Sequence, residues 1–450
     1  MQHPTVLYIT WVYRPTHTAG AIRAVNFVDA LLEAGLRVIV LTVERRAEVE
    51  KISEDLTICT VSEDGQIPSE LEASSLSRWR WWETIPGPDA ASRTFRAVYR
   101  AAHGLIGQYK PSVVFASAPP FPSLLAGHHL AQRYGLPMIL EFRDAWFTGM
   151  PWPYKNRRQR HGARHWERRC VQKADKIITV TDAYRRILID TYGAEVEKKT
   201  FTIRHGYDAS IDDDEQILPP IPGLAEDEDS FLITHTGQFQ GFDVIERHPW
   251  RKIGQSLLRV LLGARSCSQL RLEWQCPYNL MAAVAQAAKE NPEFQRNYRL
   301  VFAGQKFEQI ETWARQMNLE HVYQSGPVSP EQARNLMRNS DLLVLLLYGI
   351  KNCAYHWCVP SKIYSYLSTG KPVLALMPAG EARDLLEQAG TGLTAAPDDV
   401  SGIARQLLTV FGEYQSGQSD RKPNWEFIKP FELKFQQQQF VDVFLSVLDK

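Results

Sequence analysis

The stretch Val359-Pro360-Ser361-Lys362-Ile363-Tyr364-Ser365-Tyr366-Leu367-Ser368-Thr369-Gly370-Lys371-Pro372-Val373-Leu374-Ala375-Leu376 reads as a short helix followed at once by a buried strand. Pro360 and Ser361 are helix-start residues, and the first turn behind them offers free backbone N–H groups and the positive end of the helix dipole. Lys362 in that turn is unfavourable against the dipole of a solitary helix. A bound phosphate that satisfies both the amides and the ammonium accounts for its placement. Gly370 then stops the helix, and Lys371-Pro372 leads into the apolar run Val373 to Met377, as in a strand covered on both faces of a parallel sheet. Taken alone, the segment also reads as an ordinary surface helix with a solvated lysine.

Outward from this segment, apolar runs alternate with amphipathic stretches of helical period, the pattern of repeated βα units. The strands expected in the first half are Val6–Thr10, Val38–Thr42, Val113–Ala116, Met138–Phe142, Lys176–Val180 and Lys199–Ile203. Between the first two, Ala21–Ala34 is read as a helix with Ile22, Val25, Phe27, Val28, Leu31 and Leu32 mainly inward. The first half is therefore expected to be a Rossmann-like sheet of about six or seven strands. Phe231–Thr234, Arg299–Gly304, Asp341–Leu347 and Val373–Met377 continue the pattern in the second half, and Leu433–Leu448 reads as a closing amphipathic helix with Phe435, Phe440, Val441, Val443, Phe444 and Val447 inward.

The chain has 450 residues, too many for one common α/β core. The expected fold class is α/β, with two doubly wound Rossmann-like domains facing a cleft. The expected organisation is a first domain over 1–208, an acidic and proline-rich linker over 209–230, a second domain over 231–424, and 425–450 returning to the first domain. Residues 245–295 exceed one helical crossover and are read as carrying a helical insertion. Lys plus Arg (51) balances Asp plus Glu (51), so anion recognition must come from local patches rather than a global field. No apolar run approaches the length of a membrane span, and the amino terminus passes directly into a strand, so a cytoplasmic location is expected. Cys353, His356 and Cys358 match no common zinc spacing and are read as free thiols beside a histidine, with no metal site expected.

In two such domains, glycine turns after strands lie at ligand crevices. Gly20 and Gly237 are such turns, and Arg143-Asp144 ends the strand Met138–Phe142. His17, His205 and His235 are expected in loops at strand ends and are read as hydrogen-bonded structure more readily than as catalysts.

With these pieces in place, the chain resembles a GT-B glycosyltransferase of family 4. The resemblance rests on Val6 to Thr42 with Gly20 and Arg23, on Ser117-Ala118-Pro119-Pro120-Phe121-Pro122-Ser123, and on Leu140-Glu141-Phe142-Arg143-Asp144-Ala145-Trp146. It extends through Ala174–Val180, Ile203–Asp208, Gly326-Pro327-Val328-Ser329 and Pro360–Pro372. It implies a first domain that receives the acceptor and a second that holds a nucleoside diphosphate sugar. It implies donor or substrate contacts at Gly20, Arg23, Gly237, Gln238, Val328, Ser361, Lys362, Ser365 and Tyr366, with Asp144 and Arg143 as catalytic candidates. Trp357 and Ser365 stand where many relatives carry two glutamates, and Gln238 stands where an arginine is common.

The function expected is retaining sugar transfer to a hydroxyl acceptor, without metal or any cofactor besides the donor, in surface polysaccharide or glycolipid synthesis. A catalytically silent binder of a nucleotide sugar or partner and a sugar-nucleotide epimerase are the alternatives. Ser77–Trp82, with Trp79, Trp81 and Trp82, and the stretch Trp152–Arg169 concentrate arginine and tryptophan. Such composition suits peripheral contact with an anionic membrane through Trp79–Trp82 and Tyr154–Arg169 and a lipid-linked acceptor; RNA is the less favoured partner, and a solvated helix face the plain reading.

Overall fold

The run Val6-Leu7-Tyr8-Ile9 becomes the centre of a sheet because every one of its side chains is buried, which only a strand flanked by parallel neighbours and covered on both faces permits. The computed structural model describes residues 3–16, 18–71, 94–151, 154, 157–209, 230–242, 269–419 and 421–448. They fall into two units, one holding the described residues up to His205 with those from Lys434 onward, the other those from Gly206 to Leu433.

The first unit runs β1 (Thr5–Ile9), α1 (Ala19–Glu33), β2 (Arg37–Glu44), β3 (Glu48–Lys51), β4 (Leu56–Ser62), α2 (Phe95–Tyr109), β5 (Val113–Ala118), α3 (Pro122–Tyr134) and β6 (Met138–Phe142). It continues through α4 (Arg157–Lys173), β7 (Lys176–Thr179), α5 (Asp182–Tyr192), α6 (Ala194–Glu197) and β8 (Thr200–Thr202). The eight strands stand in the order β3-β4-β2-β1-β5-β6-β7-β8, parallel throughout except where β3 meets β4. Strands β3 and β4 are not predicted by the apolar pattern. Their threonine-interleaved and charged residues make a weak apolar signal, and β3 lies at the sheet edge, where such residues are tolerated.

Helix α1 departs from its predicted face. Thr18 caps it by accepting from the Ala21 N–H, and Arg23 rather than Ile22 turns inward: Ile22 is 48% exposed and Arg23 only 4%. The cause is a buried ion pair. Arg23 Nε donates to Glu141 Oε1 (2.8 Å), Nη1 to the Arg204 carbonyl (2.8 Å) and Nη2 to the Ile203 carbonyl (2.7 Å). Glu141 takes a second bond from Ser117 Oγ at 2.5 Å. Arg23 thus ties α1 to β6 and to the segment after β8, and the substrate contact expected of it gives way to this structural role. A buried charge is tolerated only when its donors are met, as here.

The second unit contains β9 (Phe231–Thr236), β10 (Leu270–Arg271), α7 (Tyr278–Glu290), α8 (Pro292–Asn297), β11 (Tyr298–Ala303), α9 (Glu308–Gln316), β12 (Val322–Gly326), α10 (Pro330–Asn339) and β13 (Leu342–Leu346). There follow β14 (Gly349–Ile350), α11 (Lys362–Leu367), β15 (Val373–Leu376), α12 (Glu381–Gln388), β16 (Gly392–Ala395), α13 (Val400–Ser416) and α14 (Trp425–Ile428). Its parallel sheet has the order β12-β11-β9-β13-β15-β16. Alternation along the strands splits the core: Leu342, Val344, Leu374 and Leu376 face one layer, with Phe231, Leu280 and Phe411, while Leu343, Leu345, Val373 and Ala375 face the other, with Ile363, Tyr364 and Leu367 of α11. Helix α11 has six residues, too few to hold itself together. Burial of Ile363, Tyr364, Tyr366 and Leu367, each worth about 1.5–3 kcal/mol, fixes it against β13 and β15.

The closing helix α15 (Leu433–Leu448) stacks Phe440 on Phe27 (3.7 Å between ring centroids) and sets Phe444 edge-on to Phe115 within the first unit. Phe435, expected inward, is 38% exposed. Most of the acidic stretch (210–229), residues 245–268 of the expected insertion, His17 and Ser77–Trp82 lie outside the described residues.

If Arg23 is structural, Arg23→Met leaves Glu141 buried and unpaired, and urea unfolding should show a loss of about 3–5 kcal/mol. Unchanged stability with weakened substrate binding would instead return Arg23 to the site.

Candidate functional site

In the six-stranded sheet the strand order reverses between β9 and β13, and ligands of such sheets bind beyond the carboxyl ends of the strands at that point. Glycines cluster there. Gly237 follows β9 at φ +106° and donates its N–H to the Ala303 carbonyl at 2.7 Å, and Gly304 follows β11 and donates to the Gly326 carbonyl at 3.1 Å. A side chain on Gly304 would overlap the Gly237 carbonyl, so the carboxyl ends of β9, β11 and β12 can lie together only as bare backbone.

Lys362, the first residue of α11, reaches over this floor. Its Nζ donates to the Thr236 carbonyl at 2.7 Å and lies 3.3 Å from His235 Nε2. His235 Nδ1 is 2.9 Å from the Val344 carbonyl, which can only accept, so Nδ1 carries the ring proton and Nε2 is left to accept from the ammonium. Burial, with Lys362 beside it, holds the imidazole well below its ordinary pKa, hence neutral, and Phe239 stacks on it at 4.5 Å. Burial also lowers Lys362 to about 8. Among the described residues no carboxylate forms an ion pair with Lys362. A Cβ on Gly237 would come within 2.8 Å of Nζ, so the glycine is what lets the ammonium stand there, with one N–H left after its two protein acceptors.

The other predicted contacts divide. Gln238 is exposed beside Gly237, Ser365 is half-buried on α11, and Val328 is half-buried before α10. Ser361 has helical backbone angles and makes no capping hydrogen bond, contrary to the helix-start role read from sequence. Tyr366 is fully buried: its hydroxyl accepts from the Thr236 N–H (3.0 Å) and lies 3.3 Å from the Val344 carbonyl. Tyr366 therefore positions the end of β9, and the ligand contact expected of it is corrected to that role. His235 lies within β9 rather than in a loop. Sequence reasoning passed over Gly304 and Lys306, whose stem crosses Gly326; the signal was Ala303-Gly304-Gln305-Lys306 directly after an apolar strand.

In the first unit, the reversal lies between β1 and β5. Arg143, just past β6, donates through Nη2 to the Pro119 carbonyl, while its buried Nε has no partner. A side chain on Gly20 would overlap its Nη1. A guanidinium thus sits at the amino-terminal end of α1, where the dipole disfavours a cation and favours an anion. Asp144 is half-buried, its carboxyl raised by burial and only partly offset by Arg143; the two do not form an ion pair with each other. His205 is held neutral by burial and by Arg23 and Arg143.

The comparisons with known proteins agree with this architecture. Residues 18–201 match the glycosyl transferase 4-like domain, and residues 269–413 match glycosyl transferases group 1. Sucrose-phosphate synthase from Thermosynechococcus elongatus superposes with a TM-score of 0.64 at 15% identity, covering 99% of this chain and 100% of the other. The α,α-trehalose 6-phosphate synthase from Burkholderia multivorans gives 0.62 at 13% identity, covering 99% and 97%. HepE of Anabaena, solved in complex with UDP and glucose, gives 0.59 at 13% identity, covering 99% and 100%. No curated protein matches the chain in sequence. Two Rossmann-like units, each carrying its own glycosyl transferase domain, make the chain a member of the family 4-like glycosyltransferases of the GT-B fold.

Proposed function

We propose that the protein is a retaining, metal-independent hexosyltransferase that moves a sugar from a nucleoside diphosphate sugar to a hydroxyl acceptor. The carrying observation is Lys362: a cation lowered by burial, without a carboxylate partner, held over the bare backbone of Gly237 where a diphosphate would supply its missing acceptor. As the sugar leaves, charge grows on the phosphate oxygen, and a fixed ammonium in a partly dry setting stabilises that charge without reorganising. No cofactor besides the donor is needed for this step. HepE, solved with UDP, supports a uridine nucleotide as the first donor type to test.

Asp144 and Arg143 are the acceptor-side groups in this reading. A carboxylate at Asp144 steadies the positive sugar or orients the incoming hydroxyl, and Arg143 receives a phosphate or other anion at the start of α1. The acceptor is read as lipid-linked, in polysaccharide or glycolipid synthesis on the cytoplasmic side of a membrane. No helix of the described residues is long and apolar enough to cross a membrane. A second reading, a nucleotide-sugar binder without turnover, is favoured by Trp357, which stands where relatives carry a glutamate and is only 2% exposed.

A screen of nucleotide sugars by thermal shift tests the donor site. A true donor at about a hundred times its Kd adds about 2.7 kcal/mol of stability, with or without EDTA. Lys362→Met and Gly237→Ala should each weaken that donor tenfold or more, the first by losing a charge-assisted bond of about 1.5–3 kcal/mol, the second by displacing the ammonium. Wild-type affinity in both variants, or stabilisation that appears only with divalent metal, contradicts the site. Turnover of the stabilising donor separates enzyme from silent binder. Asp144→Asn should cut turnover on the order of a hundredfold with donor affinity nearly unchanged; normal turnover removes Asp144 from the chemistry.

A further inference from the structure

We propose that the outward face of α4 docks onto the anionic phosphate headgroups of a lipid bilayer. The inference extends the lipid-linked acceptor named above and rests on that reading for its purpose. Along the helix Arg157, Arg158, Arg164, Arg168, Arg169 and Lys173 are all exposed, while Gly162, Ala163, Trp166, Glu167, Cys170 and Val171 point into the unit. The exposed positions recur four, seven and eleven residues apart, so the cations form one stripe about 24 Å long.

Nothing in the described residues neutralises that stripe. Glu167, the single acid of α4, is turned inward, where its carboxylate accepts from the backbone N–H groups of Phe147 and Thr148 and from Tyr192 Oη. No ion pair among the described residues involves an arginine of α4. Like charges four apart, such as Arg164 and Arg168, repel, and Arg157 and Arg158 in the first turn oppose the helix dipole. An anionic partner from outside relieves both.

The shape of the face argues for headgroups. Arg164, Arg168 and Gln172 border a hollow of about 380 Å³ shared with Phe147 and Tyr192, and His165, Arg168, Arg169 and Lys173 border a second of about 290 Å³. Arg168 stands between them, so two phosphates can be held side by side by guanidinium forks. Single-stranded nucleic acid fits less well, because it needs exposed rings for base stacking. Trp166, the tryptophan of this helix, is only 8% exposed and packs edge-on against His129 at 4.9 Å, and the exposed His165 is set edge-on to Trp166 at 5.0 Å.

Sedimentation of the full chain with vesicles tests the proposal. Vesicles of phosphatidylcholine and phosphatidylglycerol should capture the protein, pure phosphatidylcholine vesicles should not, and added salt should release it. Arg164→Gln/Arg168→Gln/Arg169→Gln should weaken capture roughly a hundredfold, while the same positions as lysine retain most of it. Donor affinity should be the same in all three proteins, which separates failure of this docking face from failure of the donor site. Equal capture by neutral vesicles, wild-type capture of the glutamine variant, or an RNA oligonucleotide displacing the protein from anionic vesicles would overturn the proposal.

Discussion

The ammonium of Lys362, resting on the Thr236 carbonyl across Gly237, is the contact around which the second unit is arranged. Several features follow from keeping a charge in that place. His235 must be neutral with its proton on Nδ1, which the Val344 carbonyl secures. Tyr366 must hold the end of β9, and α11 must be pressed onto the sheet by apolar residues because it is too short to stand alone. The floor must be glycine, since a side chain on Gly237 or Gly304 would occupy the space of the ammonium or of the backbone beside it.

The first unit solves a related problem with different residues. Arg143 lodges against Gly20 at the start of α1, as Lys362 lodges against Gly237. A second arginine, Arg23, is fully used inside the protein by Glu141 and two carbonyls. One arginine is therefore neutralised by the fold and its neighbour is not, and only the second is fit to receive an anion. The two look alike in sequence, and burial separates them.

That contrast explains how much could be read beforehand. The parallel sheets were legible in runs such as Leu342–Leu346 and Val373–Leu376, because strands buried on both faces carry apolar residues at every position. That logic fails at β3, where Glu48, Glu50 and Lys51 hide a strand, and at Ile22, whose apolar character suggests the wrong face because Arg23 claims the interior. At the site, Gly237 and Lys362 were visible through turn and helix-start chemistry. The roles of His235 and Tyr366 were not, since both depend on carbonyl and amide groups that only tertiary structure brings near. Trp166, read as an interfacial ring, faces the interior, whereas the arginines around it face solvent.

In the proposed site a nucleoside diphosphate accepts the remaining N–H of Lys362. An opposite charge arriving at a lysine lowered to about 8 must raise its pKa, so binding must take up a proton. Calorimetry of UDP binding in buffers of different ionisation heat measures that proton directly. Between about pH 8 and 9 the phosphate, with its second ionisation at about 6, contributes none. Net uptake that peaks in this range, and vanishes in Lys362→Met, is the predicted result. Binding with no linked proton, or with the same uptake in the variant, would contradict it.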